Sequence, residues 1–237
     1  MHNAGRKEIS TKQPRKLKSR PARDRENSKD RILVVAAEEF ARRGYDGARV
    51  DEIVRRGKIN KNLIYYYYGS KEALFVAVLE SAYLKLRHQL DTLKLDDIAP
   101  QEAIEKLVVE LFQFWASSTE FIGFLTSENL YKARHIKKSP IARTAYNNLI
   151  GQITSVLERG AKCGVFRSEV DPVDLYISIS ALGFQYFANQ HTLSVVLGRN
   201  LTSKRVVRDR LRHIVDVIMG YLQYKKTKGS KAGSLSE

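Results

Sequence analysis

The sequence predicts an all-α protein: an N-terminal three-helix head with a helix-turn-helix, then a larger helical-bundle domain, about nine helices in all. Three observations carry this. Apolar residues recur at helical spacing along the chain, and no run of alternating β-branched residues bounded by turns appears. Pro, Gly and capping residues cut the chain into segments of roughly ten to twenty-five residues. Residues 44–75 hold two short helical patterns separated by a three-residue turn.

In chain order, residues 1–27 carry nine basic side chains against three acidic ones, a local balance of +6, with almost nothing to bury. This reads as a disordered basic arm, because too little apolar area offsets the entropy of ordering it. The first helix starts near Asn27 or Ser28, repeats Ile32, Ala36 and Phe40 on one face, and stops at Gly44. A short helix with Val50, Ile53 and Val54 inward ends at Gly57. Asn60 caps a second short helix over about 61–67, in which Ile64 and Tyr68 pack back towards Ile59.

Downstream, Ser70 caps a long helix over about 71–94, Pro100 opens another, and Ser117 with Glu120 forms a capping box. Ser139-Pro140 and Asp171-Pro172 repeat a cap-then-proline start, with Gly164 as the stop between them. A last helix covers about 202–224. The domains are therefore expected at 1–27 (arm), 28–75 (head), 76–224 (effector-binding and dimerisation) and 225–237 (a second disordered tail, rich in Lys, Gly and Ser).

The 237 residues are 43% hydrophobic, enough for a sizeable core, and carry a formal net charge of +15, which favours a polyanionic partner. Apolar stretches near 175–182 and 206–222 are interrupted before the roughly 20 residues a membrane span needs, and no secretory signal follows the basic N-terminus. A bacterial cytoplasmic location is expected, without a membrane partner. Cys163 is read as an inert, half-buried thiol. The five histidines lack ligand spacing, so no metal and no cofactor are expected. No nucleophile elbow, Gly-rich phosphate loop or metal triad points to an enzyme.

The chemistry concentrates in the second short helix. With Ile64 and Tyr68 inward, Lys61, Asn62, Leu63, Tyr65, Tyr66 and Tyr67 turn mostly outward, because four consecutive tyrosines cannot share one face of a helix. Double-stranded DNA would cover such a surface. Lys reaches guanine acceptors, Asn pairs with adenine, Leu touches a thymine methyl, and Tyr hydroxyls reach phosphates. Asn60 offers helix-start amides to a phosphate, and Lys71 near the next helix start adds a contact.

Together with Ile32, Ala36, Ala37, Phe40 and Gly44-Tyr45, the run Ile64-Tyr65-Tyr66-Tyr67-Tyr68, Ser70-Lys71-Glu72 and Leu74-Phe75 resembles the head of the TetR family of bacterial regulators. Two positions depart from the family pattern. Gly57-Lys58 stand where a small residue and Gly are usual, and Asn62 replaces a Gly in the recognition helix. The resemblance implies that Arg49 contacts backbone phosphate. Residues 124–135 and 164–187 are similar to a subgroup that includes regulators of pyrimidine and aromatic-compound breakdown, which implies an effector pocket in the body. Apolar surroundings with a few polar groups nominate Trp115, Phe121, Phe124, Asn129, Arg134, His135, Phe184 and Gln185 for it.

The predicted function is a DNA-binding regulator, a repressor by first reading, acting as a homodimer on a palindromic operator and answering to a small-molecule effector. Helices over about 172–193 and 202–224 are expected to form a four-helix interface through Leu175, Ile179, Leu182, Tyr186, Val207, Leu211, Ile214, Val215 and Ile218. A non-specific architectural DNA binder, and a module for anionic membranes or protein partners, stay open as alternatives.

Overall fold

The computed structural model describes residues 22–224. Of the disordered arm expected over 1–27, residues 1–21 lie outside the described residues, as does the tail over 225–237, while residues 22–27 are helical. Among the described residues there are nine α-helices, two short 3-10 turns and no strand. The helices are α1 (Ala22–Gly47), α2 (Val50–Gly57), α3 (Lys61–Tyr68), α4 (Lys71–Asp91), α5 (Pro100–Ser117), α6 (Thr119–Leu130), α7 (Pro140–Lys162), α8 (Pro172–Val196) and α9 (Lys204–Gln223). The turns are Leu95–Asp97 and Ile136–Lys138. No helix among the described residues is long and apolar enough to cross a membrane.

α4 ends at Asp91 rather than near 94 and α8 runs on to Val196, and two helix starts differ from expectation. α1 begins at Ala22, ahead of Asn27, because no helix breaker follows Pro21 and a dense row of charges does not prevent a helix. Ser117 does not cap α6. It ends α5, where its hydroxyl donates back to the carbonyls of Gln113 and Phe114, and α6 starts after Ser118 without a side-chain cap. The other caps follow the sequence reading: Ser70, Ser139 and Asp171 each accept amides of the first helical turn. α1 is broken at Gly44, whose φ of 65° and ψ of 179° suit glycine alone.

The chain builds two cores, and α4 belongs to both. Its first turns supply Leu74, Phe75, Val78 and Leu79 to a head core with Ile32, Ala36, Phe40, Ala48, Ile53 and Ile64. Its later turns supply Tyr83, Leu86 and Leu90 to the body core formed by α5 to α9. The head core is not closed by the head: Phe124 of α6 completes it. There α6 approaches α1 closely, since a Cβ on Gly123 would stand 3.1 Å from the Ala41 carbonyl oxygen.

Helices α8 and α9 present a different face from the one expected for pairing. Leu175, Ile179, Tyr186, Ile214 and Ile218 are buried in the chain's own core, and Leu182, Val207, Leu211 and Val215 lean on it half-buried. The exposed apolar stripe is the adjoining one, with Val173 and Ile177 on α8 and Val217, Tyr221 and Tyr224 at the end of α9. Both helices carry apolar residues on more than one face, and the face turned towards α5 and α7 is the one the body core covers. Cys163, expected half-buried, is exposed at the C-terminal end of α7.

Candidate nucleic-acid interface

α2 is held by charges matched to its dipole, with Asp51 and Glu52 in the first turn and Arg55 and Arg56 in the last. Most of its cations are engaged within the head. Arg55 pairs with Glu52 at 2.5 Å, which holds the Glu52 carboxyl below its ordinary pKa. Arg56 pairs with Glu38 at 2.6 Å and lies 3.6 Å from the buried Glu39, which also takes Arg42 at 2.7 Å. Arg31 donates to the Gly57 carbonyl at 2.9 Å and so finishes the helix from α1.

The turn between the two short helices uses the unusual Lys58. Lys58 takes the left-handed conformation, φ 49° and ψ 43°, that a glycine would adopt freely, and its amide donates to the Val54 carbonyl. Asn60 then caps α3, its side-chain oxygen accepting the Asn62 amide at 2.9 Å. That bond spends one of the helix-start amides expected to meet a phosphate, so Asn60 positions α3.

α3 is anchored by Ile64, which is fully buried, and by Tyr68, whose hydroxyl donates to the Lys29 carbonyl at 3.3 Å; burial pushes its pKa up to about 12. Tyr66 is 73% exposed and Tyr65 45%, and Lys61 and Asn62 are exposed beside them. Two residues expected to face outward do not. Leu63 and Tyr67 are half-buried against the head core, because α3 is short and its inward sector is wider than Ile64 and Tyr68 alone. Tyr67 still meets Tyr66 edge-on at 5.1 Å between ring centres, and Lys29 lies over its ring.

The cations around α3 differ in availability. Lys61 is bound to Asp51 at 2.6 Å, which raises its pKa. Arg49 is exposed at the N-terminal boundary of α2, with no ion pair among the described residues. Lys71 is half-buried, with its ammonium 4.8 Å from the Tyr45 ring centre and 3.4 Å from the Asp46 carbonyl oxygen. Burial lowers its pKa. It latches α4 to the end of α1 more than it reaches outward.

The effector candidates do not form one site. Trp115, Phe184 and Gln185 line a 310 Å³ cavity with Leu125, Tyr146, Tyr176, Ile177, Ser180 and Ala181. Phe121 is buried core between Tyr83 and Phe114, and Phe124 belongs to the head core. Asn129 is exposed and donates to the Leu125 carbonyl one turn back, and Arg134 is exposed on the following loop. His135 is buried, but against Glu128 and the head rather than in a cavity.

Sequence reasoning missed the head–body junction and part of the cavity. Tyr131 donates to Asp46 at 2.5 Å, Lys138 pairs with Glu72 at 2.8 Å, and the His135 ring lies 4.2 Å from Tyr45 and 4.9 Å from Phe75. Glu128 could have been found: it follows Phe121 and Phe124 at i+7 and i+4, so helical periodicity puts an acid on an apolar stripe. Tyr146, Tyr176 and Ser180 gave no such signal.

Comparison with known proteins agrees with this geometry. Residues 32–78 match the family described as bacterial regulatory proteins, tetR family, and residues 100–218 match the family described as tetracyclin repressor-like, C-terminal domain. The chain is 33% identical to the HTH-type transcriptional repressor NicS of Pseudomonas putida over 84% of its length and 93% of that protein's. It is 34% identical to the repressor SCO4008 of Streptomyces coelicolor, over 59% of its length and 69% of the relative's. Among solved structures, the regulator SCO4942 of Streptomyces coelicolor superposes with a TM-score of 0.63 at 25% identity, covering 82% of this chain and 98% of the other. FadR of Bacillus subtilis, solved in complex with stearoyl-CoA, shares the fold with a TM-score of 0.59 at 12% identity, covering 81% of this chain and 98% of its own. With both of its parts matched and a relative aligned along most of its length, the chain belongs to the TetR family of helix-turn-helix transcriptional regulators and is not an enzyme.

Proposed function

We propose that the protein is a repressor that binds a palindromic operator as a homodimer and is modulated by a small-molecule effector. The observation that carries the DNA reading is the outer face of α3, where Lys61, Asn62, Tyr65 and Tyr66 stand exposed over the buried Ile64. Arg49 supplies a phosphate contact at the edge of that face, while Asn60, Leu63 and Tyr67 hold α3 in position and Lys71 latches α4 to α1. The exposed stripe of Val173, Ile177, Val217 and Tyr221 supports pairing through α8 and α9. Two heads related by a two-fold axis would then read half-sites about 34–36 Å apart, or a multiple of that spacing.

A double variant, Lys61→Ala with Tyr66→Ala, tests the reading by operator and random-duplex binding at one fixed salt concentration. It is expected to stay folded and to lose its preference for the operator; an unchanged preference would reject α3 as the reading element. A monomer in sedimentation would remove the dimer. Release of the operator by a dialysable cell extract reports the effector, and no release by any growth extract would remove it.

A further inference from the structure

A crevice between α8 and α9 has a charged lining that includes Arg199, Asp209 and Arg210, with His213 beside them. The 310 Å³ cavity between α5, α6, α7 and α8 has a different chemistry: none of its lining residues is charged. Trp115, Tyr146, Tyr176 and Phe184 make its walls aromatic, Leu125, Ile177 and Ala181 complete the apolar surface, and the polar side-chain groups are the hydroxyls of Tyr146, Tyr176 and Ser180, the Gln185 amide and the Trp115 indole N–H.

Two of those hydroxyls are paired: Tyr176 donates to Tyr146 at 3.0 Å, and the Tyr146 ring meets Tyr83 edge-on at 5.6 Å between ring centres. Burial raises the pKa of both Tyr146 and Tyr176, so the phenols keep their protons at neutral pH. Ser180 Oγ is buried one helical turn from Tyr176. It stands near enough to the Tyr176 hydroxyl to influence its ionisation, yet makes no hydrogen bond of ordinary geometry. A buried hydroxyl without a partner is a cost that a ligand atom would remove.

We infer that this cavity takes a small, uncharged, planar-ring ligand with a hydrogen-bonding polar edge, its ring between the aromatic walls and its edge at Ser180 and Tyr176. The inference rests on the effector reading and gives it a chemical class. The volume lies at the small end of the ligand-site range, about 300–1,000 Å³, so one ring or two fused rings are accommodated and a long acyl chain is not. Aromatic walls favour ring stacking or edge contacts. A carboxylate or an ammonium would have to leave water without a counter-charge in the lining, which selects against both.

The single tryptophan of the chain, Trp115, stands in the cavity wall and supplies the readout. The full-length protein is titrated with benzamide and, separately, with its charged counterpart benzoate, at one pH and ionic strength, following Trp115 fluorescence. Benzamide is expected to give a saturable change and benzoate none. Ser180→Ala and Tyr176→Phe are each expected to weaken benzamide binding by about three- to tenfold, the worth of one neutral hydrogen bond, with circular dichroism unchanged. Equal or tighter binding of benzoate, or no saturable response to either probe, would overturn the ligand class. Operator release by a cell extract is scored separately, so the class can fail while the effector reading survives.

Discussion

His135 Nδ1 lies 2.5 Å from Glu128 Oε1 in a site closed to solvent, and the other Glu128 oxygen accepts the backbone amides of both His135 and Ile136. One carboxylate thus fastens the loop after α6, and the imidazole it holds packs on Tyr45 and Phe75 of the head. Replacing Glu128 by Ala strands the buried His135 amide and ring nitrogen and the part-buried Ile136 amide. We expect a loss of about 3–5 kcal/mol in urea unfolding, the scale for breaking a buried pair. Glu128→Gln keeps an acceptor and should lose clearly less. A loss below about 1 kcal/mol for the alanine variant would mean that water reaches the site.

Lys61 faces the proposed DNA surface, yet its ammonium is tied to Asp51. Asp51→Asn removes one negative charge from that surface and frees one positive one. The variant should bind any duplex more tightly, and the slope of log affinity against log salt should steepen by about one. Anisotropy titrations at two salt concentrations check this, and an unchanged slope would show that Lys61 does not meet phosphate.

Two backbone positions should respond in opposite directions. Lys58 sits in the left-handed region, so Lys58→Gly relieves about 1–2 kcal/mol of strain and loses part of it to the greater freedom of the unfolded chain. A net gain of about 0.5–1 kcal/mol is expected from this balance. Gly44→Ala meets no crowding, its nearest neighbour being Ser127 Oγ at 3.6 Å, but its backbone angles forbid a side chain. It should cost about 1–3 kcal/mol. Thermal melts of the two variants beside the parent decide both.

Burial raises the pKa of Tyr68 to about 12 and pushes Tyr83, Tyr146 and Tyr176 up as well, from an ordinary value near 10. Between about pH 10 and 12 the unfolded chain releases these protons while the folded chain keeps them, so stability is complete below about pH 10 and falls through that window. The urea midpoint should drop accordingly, and less steeply in Tyr176→Phe. A midpoint with the same alkaline slope in both proteins would contradict the assignment.

Much of this was legible from local chemistry. Asn60, Ser70, Ser139 and Asp171 are caps because their side chains can reach amides two or three residues ahead, and the sequence states that distance directly. Ile64 under α3 followed from period alone. What escaped was settled by tertiary contact. Leu63 and Tyr67 lie at the margin of the inward sector, and only the width of the neighbouring helices decides that they are half-buried. On α8, Leu175 and Ile177 are both apolar, and which of them faces the body depends on where α5 stands. Ser117 and Ser118 are adjacent and alike, so the end of α5 could not be fixed within one residue.

Because α4 serves two cores and Phe124 closes the first of them, the DNA-reading part is not an exchangeable cassette. A graft cut at residue 75 would leave Val78 and Leu79 behind and open a hole where the Phe124 ring now lies. A chimaera built to redirect the operator would have to carry the α4 residues through Leu79 and meet a phenylalanine of matching position on the recipient's α6. Changing the outer residues of α3 alone leaves that joint intact, so under the proposed reading the solvent face of one eight-residue helix is the unit in which specificity would be rewritten.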